Sequence, residues 1–292
     1  MRCTDLTRRN GWLYPETVEV LRRGAWKNIL SFKEGTETEL DQLESILQSG
    51  QRIHALFIEL PSNIKLSSPN LHRIRALADE YNFIVACDDT VVGYINIDAL
   101  PYVDLMMSSL TKAFSGNSNV TGGSLVINPN SRHMERIQAA LFGNYENTYF
   151  PLDLDTILHN CQDIAWRVIK CNQNTFPLIN LFAKPPSIAL VNHPSIGPTA
   201  HLYKSLIRKE GGYGNVLSVI FHNPSSAEHF YNVLDICKGS SFGTNFTLAI
   251  PYIQLANYWN RDKVPKYGAP QHIIRISVGL EDSVELVQTS AE

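Results

Sequence analysis

Lys112 ends an apolar run and stands in "SSLTKAFSGNS" (108–118), behind two serines and a threonine. A lysine so placed is a solvated cation, a phosphate contact or a Schiff-base former. The surrounding residues bear on the choice. Asp88 ends another apolar run, "FIVACDDT" (83–90), and a buried carboxylate is costly without a cationic partner. A protonated pyridine nitrogen is such a partner. Ser109 and Thr111 supply hydroxyls suited to a phosphate. Lysine, aspartate and hydroxyls are the parts that a pyridoxal phosphate site needs. The lysine holds the aldehyde as an imine, and the carboxylate keeps the ring nitrogen protonated.

These residues need a scaffold that gathers strand ends. "IHALFIELP" (53–61), "FIVACDDT", "VDLMMSSL" (103–110) and "GGSLVINP" (122–129) read as buried strands. "GTETELDQLESILQSG" (35–50) predicts a helix, with Thr36 and Glu39 at capping-box spacing and Leu40, Leu43 and Leu47 on one face. "SPNLHRIRALADEYN" (68–82) predicts a second, and residues 155–183 a long third. Strands alternating with helices define an α/β domain with a largely parallel sheet. Such sheets bind ligands beyond their carboxyl ends, where Asn63, Asp88, Ser109 and Lys112 fall. After residue 183 the texture changes. "PPSIALVNHPSIGP" (185–198) reads as irregular. "GNVLSVIFHN" (214–223) and "HIIRISVG" (272–279) read as strands around a helix at 226–238. Two domains are expected, 1–170 and a smaller α/β domain over 171–292.

Bulk properties narrow the class. The chain has 292 residues, 44% of them apolar and 18% charged, with a net charge of −3. No broad nucleic-acid footprint follows from that balance. No apolar run approaches the ~18 residues that span a bilayer, so no membrane partner is expected. The five cysteines form no C-x-x-C pair and the nine histidines no H-x-x-x-H pair. Buried thiols in a reducing compartment and no metal are therefore expected. Arg275 lies on an apolar strand, where an unpaired arginine is expensive.

Taken together, "CDDT … SSLTK … NVTGGSLVINP" resembles the "VDNT … S-x-T-K … GG" pattern of the Cys/Met-metabolism pyridoxal-phosphate enzymes. That family includes cystathionine γ-synthase, cystathionine lyases and methionine γ-lyase. The wording around the lysine is most similar to the fungal cystathionine γ-synthase branch, although "GNSN" (116–119) replaces the usual "GHSD". "ELPSN" (59–63), "GGYGNVLSV" (211–219), "SSFGTNFTL" (240–248) and "IIRISVGLED" (273–282) match further family segments in order.

The resemblance implies the type I, aspartate aminotransferase-like fold, pyridoxal 5′-phosphate as cofactor, amino-acid substrates, a homodimer or homotetramer and a cytoplasmic enzyme. It implies γ-replacement joining an O-acylhomoserine and cysteine. β- or γ-elimination and a non-catalytic remnant remain alternatives. Carried over by motif, Lys112 binds the cofactor and shuttles protons, and Asp88 meets the ring nitrogen. Ser109 and Thr111 bind the phosphate, and Asn63 lies near the phenolic oxygen. Arg275 clamps the substrate carboxylate with Ser241 alongside. The resemblance also implies a large domain missing its N-terminal part, including a phosphate-binding glycine loop. Residues 1–10 match no family segment. Matching "GWLYPET" (11–17) puts Asn10 where an aromatic residue stacks on the ring, so Tyr14 is the nearby candidate. Asp89 reads as a turn residue.

Overall fold

Three apolar runs become adjacent parallel strands, so their polar last residues line up along one edge. The computed structural model describes residues 6–10, 13–24, 28–32, 34–262, 264–265 and 268–291. Cys3, Gly11 and Trp12 lie outside them. The first sheet comprises β1 (Leu6–Asn10), β2 (Asn28–Phe32), β3 (Ile53–Glu59), β4 (Ile84–Asp88), β5 (Leu105–Ser109) and β6 (Gly123–Ile127). Its order is β2-β1-β3-β4-β5-β6, parallel except for β6. Glu59 is the register partner of Asp88. The second sheet holds β7 (Ile188–Asn192), β8 (Val216–Phe221), β9 (Cys237–Lys238), β10 (Leu248–Pro251) and β11 (Ile274–Ser277), in the order β7-β8-β11-β10-β9.

The helices are α1 (Pro15–Arg23), α2 (Glu37–Gln48), α3 (Leu71–Tyr81), α4 (Gly93–Asn96), α5 (Met134–Asn144), α6 (Pro151–Asn160), α7 (Ile164–Phe182), α8 (Ala200–Lys204), α9 (Pro224–Val233), α10 (Tyr252–Ala256) and α11 (Ser283–Ala291). The expected capping box starts α2: Thr36 Oγ1 accepts from the Glu39 amide at 3.3 Å, and Glu39 accepts from the Gly35 amide at 2.6 Å. Leu40, Leu43 and Leu47 of α2 and Ile74 and Leu77 of α3 bury against Leu56, Ile58 and Val85 of the first sheet. A second core joins Leu217, Val219 and Ile276 to Leu178, Ile179 and Phe182 of α7. Residue 170 thus falls inside a helix that touches both halves.

Three readings of the sequence change, and one strand forms where none is expected. The stretch 155–183 is two helices, α6 and α7, broken at 161–163. The Asn160 carbonyl, which a continuous helix would give to the residue 164 amide, instead accepts from Arg167 Nη2 at 2.8 Å, while the Ile164 amide reaches Cys161 O. The proline-rich stretch 185–198 contains a strand, β7. It lies at the sheet edge with its prolines outside its ends, where proline is tolerated. The helix expected over 226–238 starts earlier, with Pro224 at its first position, and ends at Val233 because Leu234 is extended. "LTRRN" carries no apolar alternation, yet it forms β1 between β2 and β3. The thiols also divide: Cys87 and Cys171 are buried, Cys161 is half-buried and Cys237 is exposed, all unpaired.

Candidate active site

Lys112 sits in a single π-helical turn, Leu110–Phe114, directly after β5. Its amine donates to Ser241 Oγ at 2.9 Å and lies 5.2 Å from the centre of the Phe242 ring. Burial, and then the positive charge of Arg275, lower its pKa from the usual 10.5. Both effects favour the neutral amine, the form that adds to a carbonyl.

Arg275 comes from β11 of the second sheet and is only 2% exposed. Its guanidinium lies between the rings of Phe242 and Tyr252, with centroids at 4.9 and 4.8 Å. Nη1 donates to Asn63 Oδ1 at 3.0 Å. Nη2 donates to the carbonyls of Ser240 and Ser241, at 2.8 and 3.0 Å. Every acceptor is neutral. Among the described residues no carboxylate pairs with this cation. Burial pulls its pKa down from 12.5 to about 10. A buried cation without a counter-charge is a seat for an anion.

Asn63 connects this seat to the first sheet. Its side chain donates to the Tyr252 hydroxyl at 3.2 Å and its amide to Glu59 Oε2 at 2.9 Å. The other oxygen of Glu59 accepts from the Tyr14 amide. Glu59 is 5% exposed. Burial, then the charge of neighbouring Asp88, raise its pKa from 4.5 to about 8. Asp88 is half-buried. Burial raises its pKa, opposed by hydrogen bonds from Thr90, whose amide donates to Oδ1 at 2.9 Å. Thr90 Oγ1 in turn accepts from the Ser109 amide at 2.9 Å. Lys112, Ser241, Arg275, Asn63, Glu59 and Tyr14 thus form one connected chain. Asp88 stands beside Glu59, and Ser109 joins through Thr90.

Two residues depart from this cluster. The Thr111 hydroxyl accepts from the Gly122 amide at 3.0 Å and lies 3.4 Å from the Gly122 carbonyl, so it secures the entry to β6. Tyr14 reaches the cluster through its backbone, and its side chain is 48% exposed. Asp89 is more than a turn residue. Its carbonyl does accept from the Val92 and Gly93 amides, but its side chain is buried and accepts from the Ser108 hydroxyl. Burial raises its pKa from 3.8 to about 6. It borders a largely apolar cavity of about 500 Å³ that adjoins the cluster at Ser109 and Ala113.

Sequence reasoning missed Glu59, Tyr252 and Phe242. Glu59 was findable: it is the one carboxylate inside the apolar run 53–61, where burial makes a charge costly, as at Asp88. Tyr252 and Phe242 carry no local signal, because their contact with Arg275 exists only in the folded chain.

The parts fit pyridoxal phosphate. Lys112 offers an amine of lowered pKa, Asp88 a half-buried carboxylate that a ring N–H can meet, and Arg275 a buried cation that suits a carboxylate. The fold is that of the type I pyridoxal-phosphate enzymes. The crystal structure of metB from Corynebacterium glutamicum superposes with a TM-score of 0.85 at 18% identity, over 100% of this chain and 75% of that one. Apo CalE6, a methionine gamma lyase from Micromonospora echinospora, gives 0.83 at 19% identity, over 100% and 75%. The family model for Cys/Met metabolism PLP-dependent enzymes matches residues 9–289, and the chain belongs to that family. It is 48% identical over 276 residues to the cystathionine gamma-synthase-like protein ankD of Aspergillus thermomutatus, covering 94% of this chain and 49% of that one. It is 40% identical over 281 residues to the cystathionine gamma-synthase of Saccharomyces cerevisiae, covering 94% and 44%. The chain therefore spans about half the length of the curated relatives it matches.

Proposed function

We propose that this chain carries the catalytic face of a pyridoxal-phosphate-dependent transsulfuration enzyme. Its reaction joins an O-acylhomoserine to cysteine by γ-replacement. The observation that carries the reading is the buried, anion-free Arg275, hydrogen-bonded through Ser241 to a lysine of lowered pKa. The relatives named cystathionine gamma-synthase support the choice of reaction.

Each residue then has a task. Pyridoxal phosphate, when bound, supplies an electron sink for charge developing at the substrate carbons. Lys112 accepts and returns protons at the substrate α and β carbons. With the cofactor bound, Asp88 would hold the proton on the ring nitrogen and Asn63 would face the phenolic oxygen. Ser109 and Thr111 would contact the phosphate, Thr111 in exchange for its bonds to Gly122, and Tyr14 would meet the ring through its exposed side chain. Arg275 grips the α-carboxylate in bidentate fashion, with Ser241 beside it. The carbon–oxygen bond at the γ carbon breaks, the acyl carboxylate leaves, and the cysteine sulfur bonds to the same carbon. The thiol proton leaves with the carboxylate.

In this reading residues 1–170 form the cofactor half and 171–292 the substrate-clamping half. A cytoplasmic homodimer or homotetramer is part of it. The exposed Phe142, Tyr145, Phe150, Leu152, Leu158 and Trp166 support association. Among the described residues no helix is long and apolar enough to cross a membrane.

The test adds pyridoxal phosphate to the purified protein and to Lys112→Ala. A visible absorbance band that depends on Lys112 is expected. Its absence from the unsubstituted protein refutes the reading. Incubating the loaded protein with O-acetylhomoserine and cysteine should then yield cystathionine, whereas release of a keto acid would indicate elimination.

A further inference from the structure

The π-helical turn that carries Lys112 is held only in part by its own hydrogen bonds. Within it the Ser115 amide bonds Leu110 O at 3.1 Å and the Gly116 amide bonds Lys112 O at 2.8 Å. Lys112 itself departs from helical dihedrals, at φ −84° and ψ −130°. The next two carbonyls, of Ala113 and Phe114, look for donors elsewhere. Arg167 of α7, 4% exposed, provides them. Nη1 donates to Ala113 O at 2.9 Å, and Nη2 to Phe114 O at 3.0 Å.

The remaining donors of Arg167 go to three other places. Nε bonds Asp163 at 2.7 Å, Nη1 also reaches Asn245 Oδ1 at 3.3 Å, and Nη2 bonds Asn160 O at 2.8 Å. A guanidinium has five N–H groups, and all five are engaged. They tie the lysine turn, the end of α6 and the loop beyond Phe242 to one planar group.

The surroundings leave no slack. Gly116 has φ +77°, and a β carbon there would lie 2.5 Å from Asn245 Oδ1 and 3.1 Å from Arg167 Cζ. On another side of the turn Gly243, at φ +70°, approaches so closely that a β carbon would lie 2.5 Å from the Ala113 nitrogen and 3.1 Å from the Lys112 carbonyl carbon. Asn117 and Asn119, where "GNSN" departs from the usual pattern, belong to the same joint. Asn117 donates to Asn160 and accepts from Asn245, both at 2.7 Å. Asn119 accepts from Asn160 at 2.9 Å.

We infer that Arg167 is the positioning residue of Lys112: its guanidinium sets the backbone from which the amine reaches Ser241 and the cofactor. None of its hydrogen bonds goes to the amine. A lysine in its place keeps the charge but offers three N–H groups from a single nitrogen, so it cannot meet the five acceptors that the planar guanidinium reaches. The inference rests on the reading of Lys112 as the cofactor lysine, but its test does not need cofactor.

The test titrates Lys112 by its rate of acylation with acetic anhydride in the full chain without cofactor, resolved by peptide mass spectrometry. Hydrogen exchange over 110–117 and over β4 is followed in parallel. Arg167→Lys is expected to raise the apparent pKa of Lys112 by about one unit, about a tenfold change in its neutral fraction. It should speed exchange over 110–117 while β4 keeps its protection. An unchanged Lys112 titration overturns the inference. So does exchange that quickens equally in both segments, which is the signature of general destabilisation. Should Arg167→Lys lose its cooperative melt, Asn245→Ala removes one acceptor of the same guanidinium. It is held to the same two readouts and the same refuting results. A missing cofactor band in the unsubstituted protein would count against the proposed function and leave the acylation result to stand by itself.

Discussion

Glu59 is the most revealing residue to perturb, because its environment opposes its charge. It is almost fully buried, its register partner is another carboxylate, and two backbone amides are its compensation. In the unfolded chain it loses its proton near 4.5, whereas in the folded chain it keeps it to about 8. Between those values the native state binds more protons than the unfolded state, so stability falls as pH rises. The slope is about 1.4 kcal/mol per pH unit, approaching roughly 5 kcal/mol across the window from 4.5 to 8. With a urea dependence of roughly 3 kcal/mol per molar, the midpoint drops by about 0.5 M per pH unit. Glu59→Gln keeps the shape and removes the titration. Asp89, raised to about 6, adds a slope of the same sign at lower pH, and His193, lowered to about 4, adds one of opposite sign. Both persist in the variant, so the difference between the two proteins isolates Glu59. The assay is urea unfolding followed by circular dichroism from about pH 5 to about pH 8. The variant should gain on the unsubstituted protein steadily over that range. A pH-independent difference would refute the reasoning, because it would mean that Glu59 titrates alike in both states.

Three further outcomes are expected. Arg275→Ala removes a charged bidentate contact, so KM for the amino-acid substrate should rise about 10- to 100-fold, with the Lys112 absorbance band retained. An unchanged KM would remove Arg275 from the substrate site. Gly211→Ala sets a β carbon 2.8 Å from the Asn96 carbonyl carbon and 3.0 Å from its Cα. Backbone on backbone cannot yield cheaply, so Tm should fall by roughly 5–10 °C. Gly143→Ala, on the exposed face of α5 with nothing within 4 Å, should leave Tm level or raise it.

Much of this molecule is legible in its residue order. Apolar runs that stop at Asp88 and Ser109 announce a parallel sheet with chemistry at its carboxyl edge, since burial pattern and strand ends are local properties. Thr36 and Glu39 announce the start of α2 for the same reason. The motif around Lys112 points to the cofactor because the needed side chains are close in sequence. What the sequence cannot express is the meeting of distant segments. The chain "LTRRN" is a strand only because β2 and β3 accept its backbone. Residues 155–183 read as one helix until Arg167 takes the Asn160 carbonyl, a bond available only once α6 and α7 fold back toward the Lys112 turn. Arg275 and Asn63, 212 positions apart, share a hydrogen bond. Sequence alone therefore determined which groups can do chemistry. The tertiary structure decided their charge states and their order in space, because desolvation and hydrogen-bond geometry arise only when the two halves close around Lys112.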